Sequence, residues 1–167
     1  MADDQTDRLA LPLLHAGQAQ KEITHNEALT LIDALAQAAA ESADLSTPPT
    51  SPAPGQCWIV AAPGGGAWAG HIDMLACWTA AGWRFVSPVA GMRVWVADRG
   101  HAVTHDGTAW LDAPGRTDGF YVDGTRVVGT RQPGIGNPSG GSIVDAEARA
   151  AIGAILTALR AHGLITA

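Results

Sequence analysis

A chain of 167 residues, 47% hydrophobic and 16% charged, is long enough to bury a core and too apolar to stay disordered. Its net charge is −6, and its ten Lys and Arg are scattered, so it lacks the basic stripe of a nucleic-acid-binding protein. No apolar run approaches the ~18 residues of a membrane span. The acidic opening Met-Ala-Asp-Asp-Gln-Thr-Asp has no signal-peptide character, so folding is expected in the cytoplasm.

Residues 1–10 are expected to be mobile, and Leu11–Leu14 forms a short irregular apolar run before Gly17. A helix is predicted from about Thr24 to about Glu41. Thr24 and Glu27 have capping-box spacing, and Ala28, Leu31, Ile32, Leu35 and Ala39 recur on one face. This segment, 1–44, is read as a docking or oligomerisation element with Leu31 and Leu35 at the interface. Four prolines between Asp44 and Pro54 cannot continue a helix and predict an extended linker over 45–54.

From Gly55 the pattern changes to short apolar runs between Gly-containing turns. The predicted strands are 56–61, 74–79, 83–87, 92–97, 101–105 and 109–112. Short Gly turns join neighbouring strands, so these read as an antiparallel meander. A further hairpin, 119–122 with 125–129, is centred on Asp123-Gly124, a strong type I′ signal. The β domain is expected to span 55–131, followed by a Gly/Pro-rich linker and a C-terminal helix within 132–167. The fold class is α+β: a helix, a Trp/Gly-rich antiparallel sheet, and an amphipathic helix.

The last helix carries clear punctuation. Asp145 is a good N-cap, Glu147 suits the first turn, and Gly163 with Leu164 and Leu159 predicts a Schellman stop. Ala148, Ile152, Ile155 and Leu159 alternate spacings of four and three, an a/d seam about two heptads long. Isoleucine at both a and d favours a homotrimer with Ile152, Ile155 and Leu159 at its interface. The same spacing also describes a lone amphipathic helix packed on its own β domain.

Six tryptophans are the main candidates for binding. Tryptophan offers a flat apolar face and one N–H, which suits sheet cores and sugar rings alike. Most of the six read as core. Trp68, within Gly64-Gly-Gly-Ala-Trp-Ala-Gly70, is expected to project outward, and Trp110 after Asp106-Gly107 is the next most exposed. Cys57 and Cys77 are expected to be buried thiols in a reducing compartment, with a disulfide as the alternative. The six histidines form no recognised metal pattern. His101 and His105 share a strand face but lie roughly 13 Å apart at about 3.3 Å per residue. The aspartates sit mostly at turn positions, and neither a nucleophile elbow nor a phosphate loop is present. No metal, cofactor or catalytic residue is expected.

Several blocks together resemble a family. Ala16-Gly-Gln-Ala-Gln-Lys-Glu-Ile-Thr-His-Asn-Glu-Ala-Leu29 is followed by Pro54-Gly-Gln-Cys-Trp-Ile-Val60, Gly66-Ala-Trp-Ala-Gly70, Gly82-Trp-Arg-Phe85 and Asp106-Gly-Thr-Ala-Trp110. Val144–Ala151 and Leu159–Ile165 look like its closing helix. The order is similar to an uncharacterised domain family of tail-fibre-like and head-spike-like proteins from alphaproteobacterial phages, prophages and gene transfer agents. The resemblance implies a structural or host-attachment protein located in the virion and assembled in the bacterial cytoplasm. Its partners would be its own copies, other virion proteins and a host-surface glycan. Trp68 and Trp110 would be the glycan contacts. Two alternatives are a polysaccharide-degrading glycoside hydrolase and a connector that binds no ligand.

Overall fold

The structure, a computed structural model, describes residues 5–15, 21–140, 145–161 and 164–165. It divides into two units, Met1–Ala113 and Pro114–Ala167. The first contains α1 (Lys21–Leu35), β1 (Ala39–Ala40), β2 (Cys57–Ile59), a single 3₁₀ turn (Gly66–Trp68), β3 (Leu75–Thr79), β4 (Gly82–Val86), β5 (Arg93–Val96), β6 (His101–His105) and β7 (Trp110–Asp112). The second contains β8 (Gly115–Arg116), β9 (Gly119–Val122), β10 (Thr125–Val128) and α2 (Ala146–Ala161). The α+β class is as expected.

The predicted strands all form, yet they do not make one meander. They build three sheets, ordered β2-β3-β4, β1-β5-β6-β7 and β10-β9-β8. β1 joins its sheet in parallel, and the other pairings are antiparallel. Period-two alternation decides what each face buries. In β2-β3-β4 one face carries Cys57, Ile59, Leu75 and Cys77, with Val86 packed against them. That face joins Ala34, Ala38 and Ala40 and the inner valines of the second sheet, Val94, Val96 and Val103, in one core. The opposite face carries Trp58 and Ala76, with Trp78, Trp83 and Phe85 beside them.

Cys57 and Cys77 are a disulfide, not the expected free thiols. The pairing register makes them direct cross-strand partners with Cα atoms 4.0 Å apart. In antiparallel sheets such facing pairs bring the side chains close. Spacing along the chain carries no trace of this register.

α1 also departs from expectation. It already includes Lys21, so Thr24 is not a cap, and it ends at Leu35 instead of near Glu41. Gln37 adopts φ +53, and the next residues leave the helix for β5. Trp95 donates to the Ala38 carbonyl at 2.9 Å and Ala97 to that of Ala40 at 2.9 Å. The apolar face is rotated too: Asp33 and Ala34 are buried, Leu31 is half-buried, and Ile32 and Leu35 are exposed.

The proline-rich stretch is not a linker between domains. It lies inside the first unit, and its leading end runs along the free edge of β2. Glu41 donates to the Cys57 carbonyl, Ile59 to that of Ser42, and Ala61 to that of Leu45, at 2.8–3.1 Å. Those bonds cover an edge that would otherwise be open to pairing.

Turn chemistry follows the residue types. Asp123 (φ +48) and Gly124 (φ +75) make the expected left-handed pair between β9 and β10. At the β6–β7 turn the Asp106 carboxylate accepts from the Thr108 and Ala109 amides at 2.7 and 2.9 Å and from the Thr108 hydroxyl at 2.8 Å. The Ala109 amide bond, then those from Thr108, lower its pKa from 3.8 to about 2. Because the folded value is depressed, this stabilisation is complete above 3.8 and disappears as pH falls through about 2. The gap in melting midpoint between the native chain and Asp106→Asn should therefore be constant above pH 4 and shrink towards pH 2. A pH-independent gap would show that the turn does not depend on the charge.

In the second unit, Asp145 caps α2 as expected, its Oδ1 accepting from the Ala148 amide at 2.8 Å. Leu164 donates to the Leu159 carbonyl at 2.9 Å, the long bond of the expected Schellman stop. Gly163 lies outside the described residues. Arg149 and Arg160 reach from the helix to carbonyls of the Gly/Pro segment, at Pro138 and Gly140 and at Ile135 respectively.

Candidate functional site

The dense polar block of α1 is an architectural clasp. Asn26 pairs in both directions with the Leu14 backbone, donating at 3.0 Å and accepting at 2.9 Å. Asp33 is 4% exposed and accepts from the amides of Arg8 and Leu9 at 2.9 and 2.6 Å. The Arg8 guanidinium donates in turn to the carbonyls of Asp33, Ala34 and Gln37. A cation there satisfies carbonyls that the helix end leaves free. Glu27, expected in a capping box, grips the Arg84 Nε of β4 at 2.8 and 3.1 Å. A groove of about 280 Å³ lies over this junction, between Thr6, Asn26, Thr30 and Ala80. Its central charges, Glu27 and Arg84, satisfy each other.

Trp68 and Trp110 are not where a glycan contact was expected. Trp68 is fully buried, 0% exposed. Gly64 (φ +68) and Gly66 (φ +58) fold the loop back through its 3₁₀ turn. The indole meets Trp58 and Trp83 at centroid distances of 6.2 and 5.3 Å. Gly65 ties the loop to the proline-rich strap by donating to the Ser46 carbonyl at 2.7 Å. The glycines thus let the loop close over the sheet, where they had suggested an outward projection. Trp110 is half-buried against the core, its Nε1 donating to the Asp73 carbonyl at 2.8 Å and its ring edge-on to His105.

An open aromatic surface lies on the second sheet. Along β5, Val94 and Val96 point into the core, while Arg93 and Trp95 point out. Trp95 is 46% exposed, and its cross-strand partners are Ala39 on β1 and Ala102 on β6. Thr104 stands opposite Arg93, and the exposed Leu111 stands opposite Thr104. A shallow groove of about 420 Å³ runs beside Trp95, between Gln37, Ala38, Ala39, Arg93 and Ala102. Sequence reasoning missed this site although the signal was present. In Arg-Val-Trp-Val the two valines claim the core parity and leave Trp95 with Arg93 outside.

His101 and His105 occupy the inner parity of β6 at the two ends of the core. His101 Nδ1 lies 2.9 Å from the Arg99 carbonyl, and His105 Nδ1 accepts from the Gly107 amide at 3.2 Å. Beside His101, Arg99 bridges Asp44 and Asp112 at 2.5 and 3.0 Å. The Asp44 bond, more than the opposing desolvation, raises the Arg99 pKa above its usual value. Among the described residues no group of three or more His, Cys, Asp or Glu converges as a metal site would require. On α2, Ile152 and Ile155 are 45% and 58% exposed, Leu159 is half-buried, and Leu156 is buried.

Fold and surfaces together define a small α+β module: a disulfide-linked, tryptophan-packed sheet joined to a second sheet that leaves Trp95 on an open face. The chain belongs to the family described as Protein of unknown function (DUF2793), whose model matches residues 25–111. The matched region ends within β7, so the family domain lies inside the first unit and α2 falls outside it. No curated protein matches the chain. No helix among the described residues is long and apolar enough to cross a membrane.

Proposed function

We propose that the protein is a structural and attachment component of a phage-like particle, in a tail or head fibre or a gene transfer agent, and that it works as a homotrimer. The observation that carries this reading is the seam on α2. An Asp145-capped helix keeps Ile152 and Ile155 exposed while Leu156 is buried. Isoleucines at seam spacing gain most by packing on copies of the same helix. The clasp residues of α1 support an architectural role for the family block, because Asn26, Glu27 and Asp33 are engaged within the chain. The particle context comes from the sequence resemblance.

Light scattering at micromolar concentration should give a trimer mass, and Ile155→Asp should give a monomer, since it would place an unpaired charge inside the seam. A stable monomer of the native chain would sink the oligomeric reading. Antibody labelling of purified particles tests the location, and particles without the protein would remove the attachment role.

A further inference from the structure

We propose that the open face of the β1-β5-β6-β7 sheet is a binding site for a hexuronate unit of an acidic polysaccharide, with Trp95 under the sugar ring and Arg93 on its carboxylate. The proposal deepens the attachment reading by naming a ligand class, and it rests on that reading only for its biological setting.

The first observation is shape. Trp95 is exposed between two alanines, Ala39 and Ala102, so no large cross-strand neighbour screens the indole. The adjoining groove of about 420 Å³ falls within the ~300–1,000 Å³ of small-ligand sites. The exposed groups of this face, Arg93, Trp95, Thr104 and Leu111, are few beside the roughly 800 Å² that a stable protein partner needs on each side.

The second observation is charge. Every other arginine meets a carboxylate, a carbonyl or a ring of its own chain. Arg93 has no such partner among the described residues and is exposed. It stands two residues from Trp95 on the same face, roughly 7 Å along the strand. A guanidinium without a partner in its own chain can take an anion locally, against the overall field of a chain of net charge −6.

A hexuronate matches both features at once. Its C–H face buries on the indole, its carboxylate takes the guanidinium in two parallel hydrogen bonds, and Gln37 and Thr104 border the face with groups suited to hydroxyls. A nucleotide also pairs a ring with an anion. An arginine takes phosphate as well as carboxylate, so AMP is the control that separates the two anions.

The test is calorimetric titration of the full chain with tetragalacturonate, tetramannuronate and a glucuronate-containing hyaluronan tetramer, with maltotetraose and AMP as controls. At least one uronate should bind about tenfold more tightly than maltotetraose, as expected for loss of one charge-assisted pair. Arg93→Gln should bring uronate binding down to the maltotetraose level. Trp95→Ala should abolish binding while the chain still unfolds in one cooperative transition. The site is overturned if no uronate binds, if maltotetraose binds equally well, or if AMP binds best. It is also overturned if Trp95→Ala abolishes a self-association that the native chain shows, because the face would then belong to a second copy. A trimer that binds no uronate removes this site and leaves the attachment reading standing. A uronate-binding monomer absent from particles does the reverse.

Discussion

Trp68→Ala is expected to destabilise the first unit by about 3–5 kcal/mol, the range for truncating a large aromatic in a core. Trp68 is wholly buried among Trp58 and Trp83, with Val60 and Ala76 in the same cluster. A cavity of indole size there could not collapse easily, because Trp58 and Ala76 are fixed by strand pairing and the loop is pinned at Ser46. Its Nε1 is buried without an acceptor among the described residues. Trp68→Phe should therefore cost much less than Trp68→Ala: it leaves a smaller cavity and removes a donor that has no partner to lose. Trp95→Ala is the counter-experiment and should cost clearly less than Trp68→Ala, on the order of 1–2 kcal/mol, because the indole is already 46% exposed. Urea unfolding followed by fluorescence separates the three. Equal midpoints for the Trp68→Ala and native chains would put Trp68 back on the surface.

The strands were legible because their ends carry chemistry of their own. Asp106-Gly107 and Asp123-Gly124 turn the chain whatever surrounds them, and the alternation between turns sets parity. β1 and β8 are two residues each, too short for any pattern to register. α1 was misjudged at both ends for a tertiary reason. The alanines after Leu35 favour helix in isolation, but β5 offers them a ladder and Arg8 closes the helix before them. Glu27 looked like a local cap because its partner, Arg84, is remote in sequence. The disulfide, the burial of Trp68 and the exposure of Trp95 all depend on which residues face each other across strands. Only the last left a readable trace, in the Arg93–Val96 alternation.

Asp33→Ala should be the other strongly destabilising change, by about 3 kcal/mol, equivalent to roughly 6–12 °C in a chain of this size. The side chain is buried at the junction between the N-terminal segment and α1. Removing it takes the acceptor from the Arg8 and Leu9 amides. Charged acceptors contribute about 1.5–3 kcal/mol each, and the two bonds share one carboxylate, so the sum is less than double. Asp33→Asn keeps one acceptor oxygen and should fall between the native chain and Asp33→Ala. Hydrogen exchange provides the local readout: the Arg8 and Leu9 amides should lose protection in Asp33→Ala while the Cys57–Ile59 amides keep theirs below the melting transition. If Asp33 instead belonged to a recognition surface, its removal would alter binding and leave stability and exchange unchanged. That outcome would detach the N-terminal segment from α1 and make the family's most polar block a site in its own right.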